Sequence, residues 1–177
     1  MDTLPISKNN IKVLLLGNSG VGKTTFVERY ATGCFTNVGP INRNLQFNTT
    51  NGIVNLEVTS STSYLSGYDV LIVMVNLDDK STLSILEKIP TQHPPMISVG
   101  TKTMNEHTIS KAHRYSMAGR IVRKYQCKWY DIDSKTCYNF DKPILAAIRY
   151  CVSENADFVD WEPKTPIKLT TPIKLTT

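Results

Sequence analysis

Apolar and polar positions follow two different periods along this chain, and the switches between them mark its elements. Ile11 to Leu16 is almost wholly apolar, as a buried strand is, and Val70 to Val75 and Met96 to Val99 repeat that pattern, expected of strands covered on both faces. Leu45 to Thr49 and Ile53 to Val58 instead alternate apolar with polar residues around Asn51-Gly52, which predicts an antiparallel hairpin. Trp129 to Ile132 reads as a last strand. Helical spacing begins at Thr25 and stops at Thr32-Gly33, glycine being the usual residue beyond a helix end. A short helix is expected within Asp78 to Ile89, capped by Ser81 or Asp79 and closed by Pro90. Ser110 to Tyr125 places Ala112, Tyr115, Ala118, Ile121 and Val122 on one face, and Asn139 to Val152 does the same with Phe140, Ile144, Ala147, Ile148 and Cys151. Cys34 to Arg43 and Ser60 to Ser63 read as loops. Strands alternating with helices predict an α/β fold: a mostly parallel sheet covered on both faces, one antiparallel edge hairpin, and ligands at the carboxyl ends of the strands.

Composition adds limits. A chain of 177 residues with 41% hydrophobic content suits one domain, taken as 11–160, after an N-terminal extension 1–10. The segment 161–177 repeats Thr-Pro-Ile-Lys-Leu-Thr and reads as a flexible tail, two copies being too few for a stacked repeat fold. A net charge of +5 permits an acidic partner without requiring nucleic acid, and no direct nucleic-acid contact is expected. The four cysteines lack the spacing of a zinc site, and free thiols in a reducing compartment are expected. No stretch is long enough to span a bilayer, so a soluble intracellular monomer is expected. The chain ends without a cysteine to prenylate.

The candidate chemistry is concentrated in Gly17-Asn18-Ser19-Gly20-Val21-Gly22-Lys23-Thr24, which has the spacing of a phosphate-binding loop between a strand and a helix. Glycines let backbone N–H groups turn inward around a phosphate, and the helix N-terminus adds partial positive charge. Lys23 is expected to reach the terminal phosphates, and the Thr24 hydroxyl to hold Mg²⁺. His93, His107 and His113 have no metal-site spacing.

A second stretch, Trp129 to Pro143, together with Gly22-Lys23-Thr24-Thr25-Phe26-Val27, resembles the Ran-like branch of the Ras superfamily of small GTPases. The likeness runs from about Ile11 to Val159, strong at both ends and weak between. It implies a phosphate-loop NTPase of Ras-like three-layer fold, GTP or GDP with Mg²⁺ as ligand, and a conformational switch read by nuclear transport receptors or effectors in nucleus and cytoplasm. The implied phosphate site is Gly17, Asn18, Ser19, Gly20, Val21, Gly22, Lys23, Thr24 and Thr25, with Thr24 on the metal. The implied base site is Thr101, Lys102, Asp133, Ser134 and Lys135. Arg123-Lys124 falls where the family carries a basic receptor-binding patch, although a solvated helix end reads equally well there.

The departures from that family lie where its chemistry is done. Asn37 aligns with the Mg²⁺-binding threonine of the first switch, with Thr36 its only near substitute. Thr59 to Tyr64 holds no aspartate, glycine or glutamine where the family has all three, and the helix that normally follows is missing, because Tyr68-Asp69 leads straight into the next strand. Hydrolysis is therefore expected to be slow or absent, since positioning and electrostatics carry phosphoryl transfer. The guanine-reading motif stands as Thr101-Lys102-Thr103-Met104, and methionine cannot accept the two N–H bonds that a carboxylate takes from guanine. Ser19 replaces a glycine and crowds the place of an attacking water. A guanine-nucleotide switch and a non-cycling interaction module both fit these features. A small P-loop kinase fits less well, because the chain has no arginine-rich lid.

Overall fold

The computed structural model describes residues 9–76, 78–101 and 110–161. Six strands form one sheet: β1 (Asn10–Leu16), β2 (Asn42–Thr49), β3 (Gly52–Ser61), β4 (Val70–Asn76), β5 (Met96–Thr101) and β6 (Lys128–Ile132). Their order is β2-β3-β1-β4-β5-β6, with every neighbouring pair parallel except β2 with β3. This is the mostly parallel α/β sheet with one antiparallel edge pair that the apolar runs predict. The helices are α1 (Lys23–Thr32), α2 (Lys111–Tyr125) and α3 (Lys142–Cys151), with a 3₁₀ helix at Lys80–Lys88.

The pleat divides the core in two. On one face Ile11, Val13 and Leu15 of β1 pack with Phe26 and Tyr30 of α1 and Ile144, Ala147 and Ile148 of α3. Leu14, Leu16, Leu71 and Val73 point the other way, against Ile85 and Ile121. A strand buried on both faces reads as a near-continuous apolar run, and β4 is buried at all seven positions, the one polar residue being Asn76 at its end, whose N–H and carbonyl bond the Thr82 hydroxyl.

Several local expectations are corrected. The hairpin turns at Thr50-Asn51, because Thr49 pairs with Gly52 and only Gly52 has positive φ, +97°. A turn with both central residues at negative φ followed by a left-handed glycine is a type I turn with a bulge. The Thr49 hydroxyl reinforces it, donating to the Gly52 carbonyl at 2.7 Å. Ser60 and Ser61 belong to β3, since they pair with Leu15 and Leu16. Asp79 caps the 3₁₀ helix, accepting from the Ser81 N–H at 2.9 Å, so Ser81 is not the cap. In α2, Ala118 and Ile121 are buried as expected, but Ala112 is exposed, Tyr115 is 59% exposed and Val122 is half-buried. Arg114 turns inward to Asp78 at 3.6 Å, and a helix that faces the sheet with 114, 118 and 121 must carry 112 on its back. α3 starts at Lys142, not Asn139, because Asn139 sits at φ +51°. Residues 62–69 join β3 to β4 without a helix, and their Tyr64 and Tyr68 pack on the second core.

Candidate functional site

Three glycines of the segment between β1 and α1 cannot take a side chain without strain or a clash. Gly20 and Gly22 adopt φ +83° and +95°, where side chains are strained. A Cβ on Gly17 would come within 2.8 Å of the Met74 carbonyl and of Val21 Cγ2. The Gly17 N–H donates to the Ser61 carbonyl at 3.1 Å, which ties the loop entrance to the end of β3. Val21 is buried in the first core and anchors the loop from beneath. Asn18 donates to the Ser81 carbonyl and the Ser84 hydroxyl, each at 3.0 Å, which fixes the loop to the 3₁₀ helix. Ser19 is exposed at the outer rim.

Lys23 folds back over its own loop. Its ammonium donates to the carbonyls of Gly17 at 2.6 Å and Asn18 at 2.9 Å, and burial lowers its pKa. Thr24 and Thr25 are half-buried in the first turn of α1. Gly22 gives α1 no side-chain cap, and uncapped first-turn N–H groups together with the helix dipole suit an anion.

A cavity of about 530 Å³ opens beside this loop. It is lined by Gly20, Val21, Gly22 and Thr25 on one side and by Thr101, Asp133, Ser134 and Lys135 on the other, with Ile132 beneath and Phe35 at the edge. Two segments more than a hundred residues apart therefore meet at one concavity, at the carboxyl ends of β1, β5 and β6. Asn18, Ser19, Lys23 and Thr24 belong to the same loop and helix start but do not line the cavity itself. Lys102 lies outside the described residues, as do Thr103, Met104, His107, the extension up to residue 8 and the tail from 162 onward. Arg123 and Lys124 are exposed near the C-terminal end of α2, which returns the chain to the start of β6, so they sit toward the amino-terminal ends of the strands, away from the cavity at the carboxyl ends. Arg123 donates to the Gly119 carbonyl and Lys124 lies over the Tyr125 ring, so each has a local structural partner.

The 133–138 turn holds its shape by bonds of its own. Asp133 Oδ1 accepts from the N–H groups of Lys135 at 2.9 Å and Thr136 at 3.3 Å, and Asp133 pairs in an antiparallel bridge with Tyr138. The Asn139 amide donates to the Asp131 carbonyl at 3.0 Å. Arg29, only 3% exposed, reaches from α1 to Cys137 Sγ at 2.9 Å and to the Gly33 carbonyl. Helix α1 thus holds both halves of the cavity, its start forming one wall and Arg29 bracing the other. Sequence reasoning missed Phe35 and Arg29. Phe35 carries no signal in a loop of mixed composition, whereas Glu28-Arg29 interrupt the apolar face of α1 and could have been read as buried charges with structural partners.

No protein-family model matches the chain. Among the described residues no helix is long and apolar enough to cross a membrane.

Proposed function

We propose that this chain is a phosphate-loop nucleotide-binding protein of Ras-like fold, a Ran-like small GTPase-type protein that holds GTP or GDP and hydrolyses GTP slowly or not at all. The observation that carries this reading is the cavity between Gly20-Val21-Gly22 and Asp133-Ser134-Lys135. It brings a phosphate-binding motif and the segment expected at the base edge to the two sides of one concavity of nucleotide size. The strand order and the position at the carboxyl strand ends support it as well.

Phosphates bind the loop amides and Lys23, whose ammonium exchanges the carbonyls of Gly17 and Asn18 for phosphate oxygens. The base lies along Ser134 and Lys135. The connection from Thr62 to Asp69 carries no glutamine to orient water, which supports weak or lost turnover. By the same resemblance the partners are nuclear transport receptors or Ran effectors, and the setting is traffic between nucleus and cytoplasm. A second reading, a non-cycling interaction module, is favoured by the bonds that Lys23 and Asn18 already make within the protein.

Titration of nucleotide-stripped protein with fluorescent GTP, GDP and ATP, followed by single-turnover hydrolysis, tests the proposal. Micromolar or tighter binding with guanine preferred establishes the first reading. Failure of all three to bind leaves the interaction module.

A further inference from the structure

The phosphate loop leaves β1 between two strands, β3 and β4, that both run parallel to it. In phosphate-loop proteins a divalent cation on the bound phosphates is held by the loop's Ser or Thr hydroxyl and by a carboxylate from a nearby strand end. Thr24 supplies the hydroxyl. The carboxylate would have to come from just beyond Ser61 or just beyond Asn76.

The first exit has none, and the acids at the second are held by the fold. Past Ser61 come Thr62, Ser63 and Tyr64, and the chain turns at once, with the Ser61 hydroxyl donating to the Ser63 carbonyl at 2.7 Å and accepting the Ser63 N–H at 3.0 Å. The charge that reaches this exit is positive, because Lys88 Nζ donates to the Thr62 carbonyl at 3.3 Å. Past Asn76 stand two acids that already serve the fold. Asp78, its side chain 7% exposed, turns Oδ2 to Arg114 at 3.6 Å and keeps Oδ1 buried, closed off from solvent and without a hydrogen-bond partner among the described residues, and Asp79 caps the 3₁₀ helix through Oδ1. Asp133, across the cavity, accepts the Lys135 and Thr136 N–H groups. Among the described residues no group of three His, Cys, Asp or Glu is placed to hold a metal ion.

We propose that this site takes a nucleoside diphosphate or triphosphate without a divalent cation, the phosphate charge being met by Lys23, the loop amides and the first turn of α1. The inference rests on the nucleotide-binding reading above. Among the described residues, a Mg²⁺ ion arriving on the nucleotide gains the Thr24 hydroxyl, no carboxylate from the end of β3 and none from Asp78, which stays buried beside Arg114, so it adds little to affinity.

The test is a titration of the full 177-residue chain, stripped of nucleotide, with N-methylanthraniloyl GDP and GTP, in excess EDTA and in excess Mg²⁺. The two dissociation constants are expected to agree within about threefold for each nucleotide. Binding about tenfold or more tighter in Mg²⁺ overturns the proposal. Thr24→Ala identifies the cause, since a large wild-type ratio between buffers that collapses in this variant assigns a bound metal to Thr24. Absence of binding in both buffers refutes the nucleotide-binding reading itself, and this inference with it.

Discussion

Lys23 and Gly17 show how little freedom the loop leaves its residues. The Lys23 ammonium is half-buried and held by two carbonyls of its own loop, a position from which it can turn to a phosphate without crossing open solvent. A hydrogen bond to a charged group contributes about 1.5–3 kcal/mol, so Lys23→Ala is expected to weaken GDP binding by about tenfold to a hundredfold in a fluorescence titration. Unchanged affinity in that variant would remove the loop from the binding site. Gly17 acts through shape. An added Cβ meets a backbone carbonyl and a buried valine methyl at 2.8 Å, and forced overpacking of this kind costs about 1–3 kcal/mol. Gly17→Ala should melt several degrees below the wild type, and equal melting temperatures would show that the β1 exit can relax.

At the scale of elements, α1 is the part on which the site depends. Its first turn forms one wall of the cavity, Arg29 braces the opposite turn, and Glu28 holds the start of β2 through Arg43. Glu28, 3% exposed, accepts from Arg43 Nε and Nη2, both at 2.8 Å. The bonds to Arg43 lower the Glu28 pKa more than its desolvation raises it. A carboxyl whose folded pKa lies below its unfolded value stabilises the protein above the unfolded pKa, and that stability is lost as pH falls through the folded one. Wild type should therefore lose stability faster than Glu28→Gln as pH drops from about 5 to about 3, as measured by urea denaturation. Parallel curves for the two proteins would mean that the pair does not hold in solution. Helix spacing alone marks α1 as amphipathic, but which charged residues turn inward depends on the arrival of Arg43 and Cys137 from elsewhere in the chain.

Across the whole molecule, helices cover the sheet unevenly. On β2 and β3, Leu45, Phe47, Val54, Leu56 and Val58 face the first core, while Asn44, Gln46 and Glu57 are exposed on the other side and Asn55 is half-buried there. No helix follows β3, and this polar surface is what permits its absence. Gln46 donates to Asn55 and Asn55 to Asn10, a chain of amides across three strands at 2.9 and 3.0 Å. The covered face of the hairpin is closed by the segment after α3. The Thr50 N–H donates to the Asp157 carbonyl and the Val159 N–H to the Asn48 carbonyl, and Trp161 stacks on Tyr30 with centroids 5.0 Å apart. Trp161→Ala removes contacts with Tyr30, Phe47 and Phe158, and each aromatic pair contributes about 0.5–1.5 kcal/mol beyond its buried area. The expected result is a lower melting temperature with the sheet's circular dichroism retained. An unchanged melting temperature would show that the segment after α3 adds nothing to the core.

Periodicity and glycine placement carry local information, and to that extent the sequence alone determined this protein. Continuous apolar runs marked β1, β4 and β5, and alternation marked the hairpin. The spacing from Gly17 to Thr24 placed a phosphate-binding motif between a strand and a helix, because φ values open to glycine and the order of elements are properties of neighbouring residues. Tertiary structure alone decided what depends on distant partners. It set the rotation of α2 through Arg114 and Asp78, extended β3 into Ser60 and Ser61 by pairing them with β1, added Phe35 to the cavity, and brought to the loop the Thr101 and Asp133 to Lys135 that only the family resemblance implied. Those choices rest on residues far apart in the chain, so no window of sequence contains them. They are made when the two cores close on the central strands and the β1 loop, the β5 end and the turn after β6 meet at the carboxyl ends of the strands.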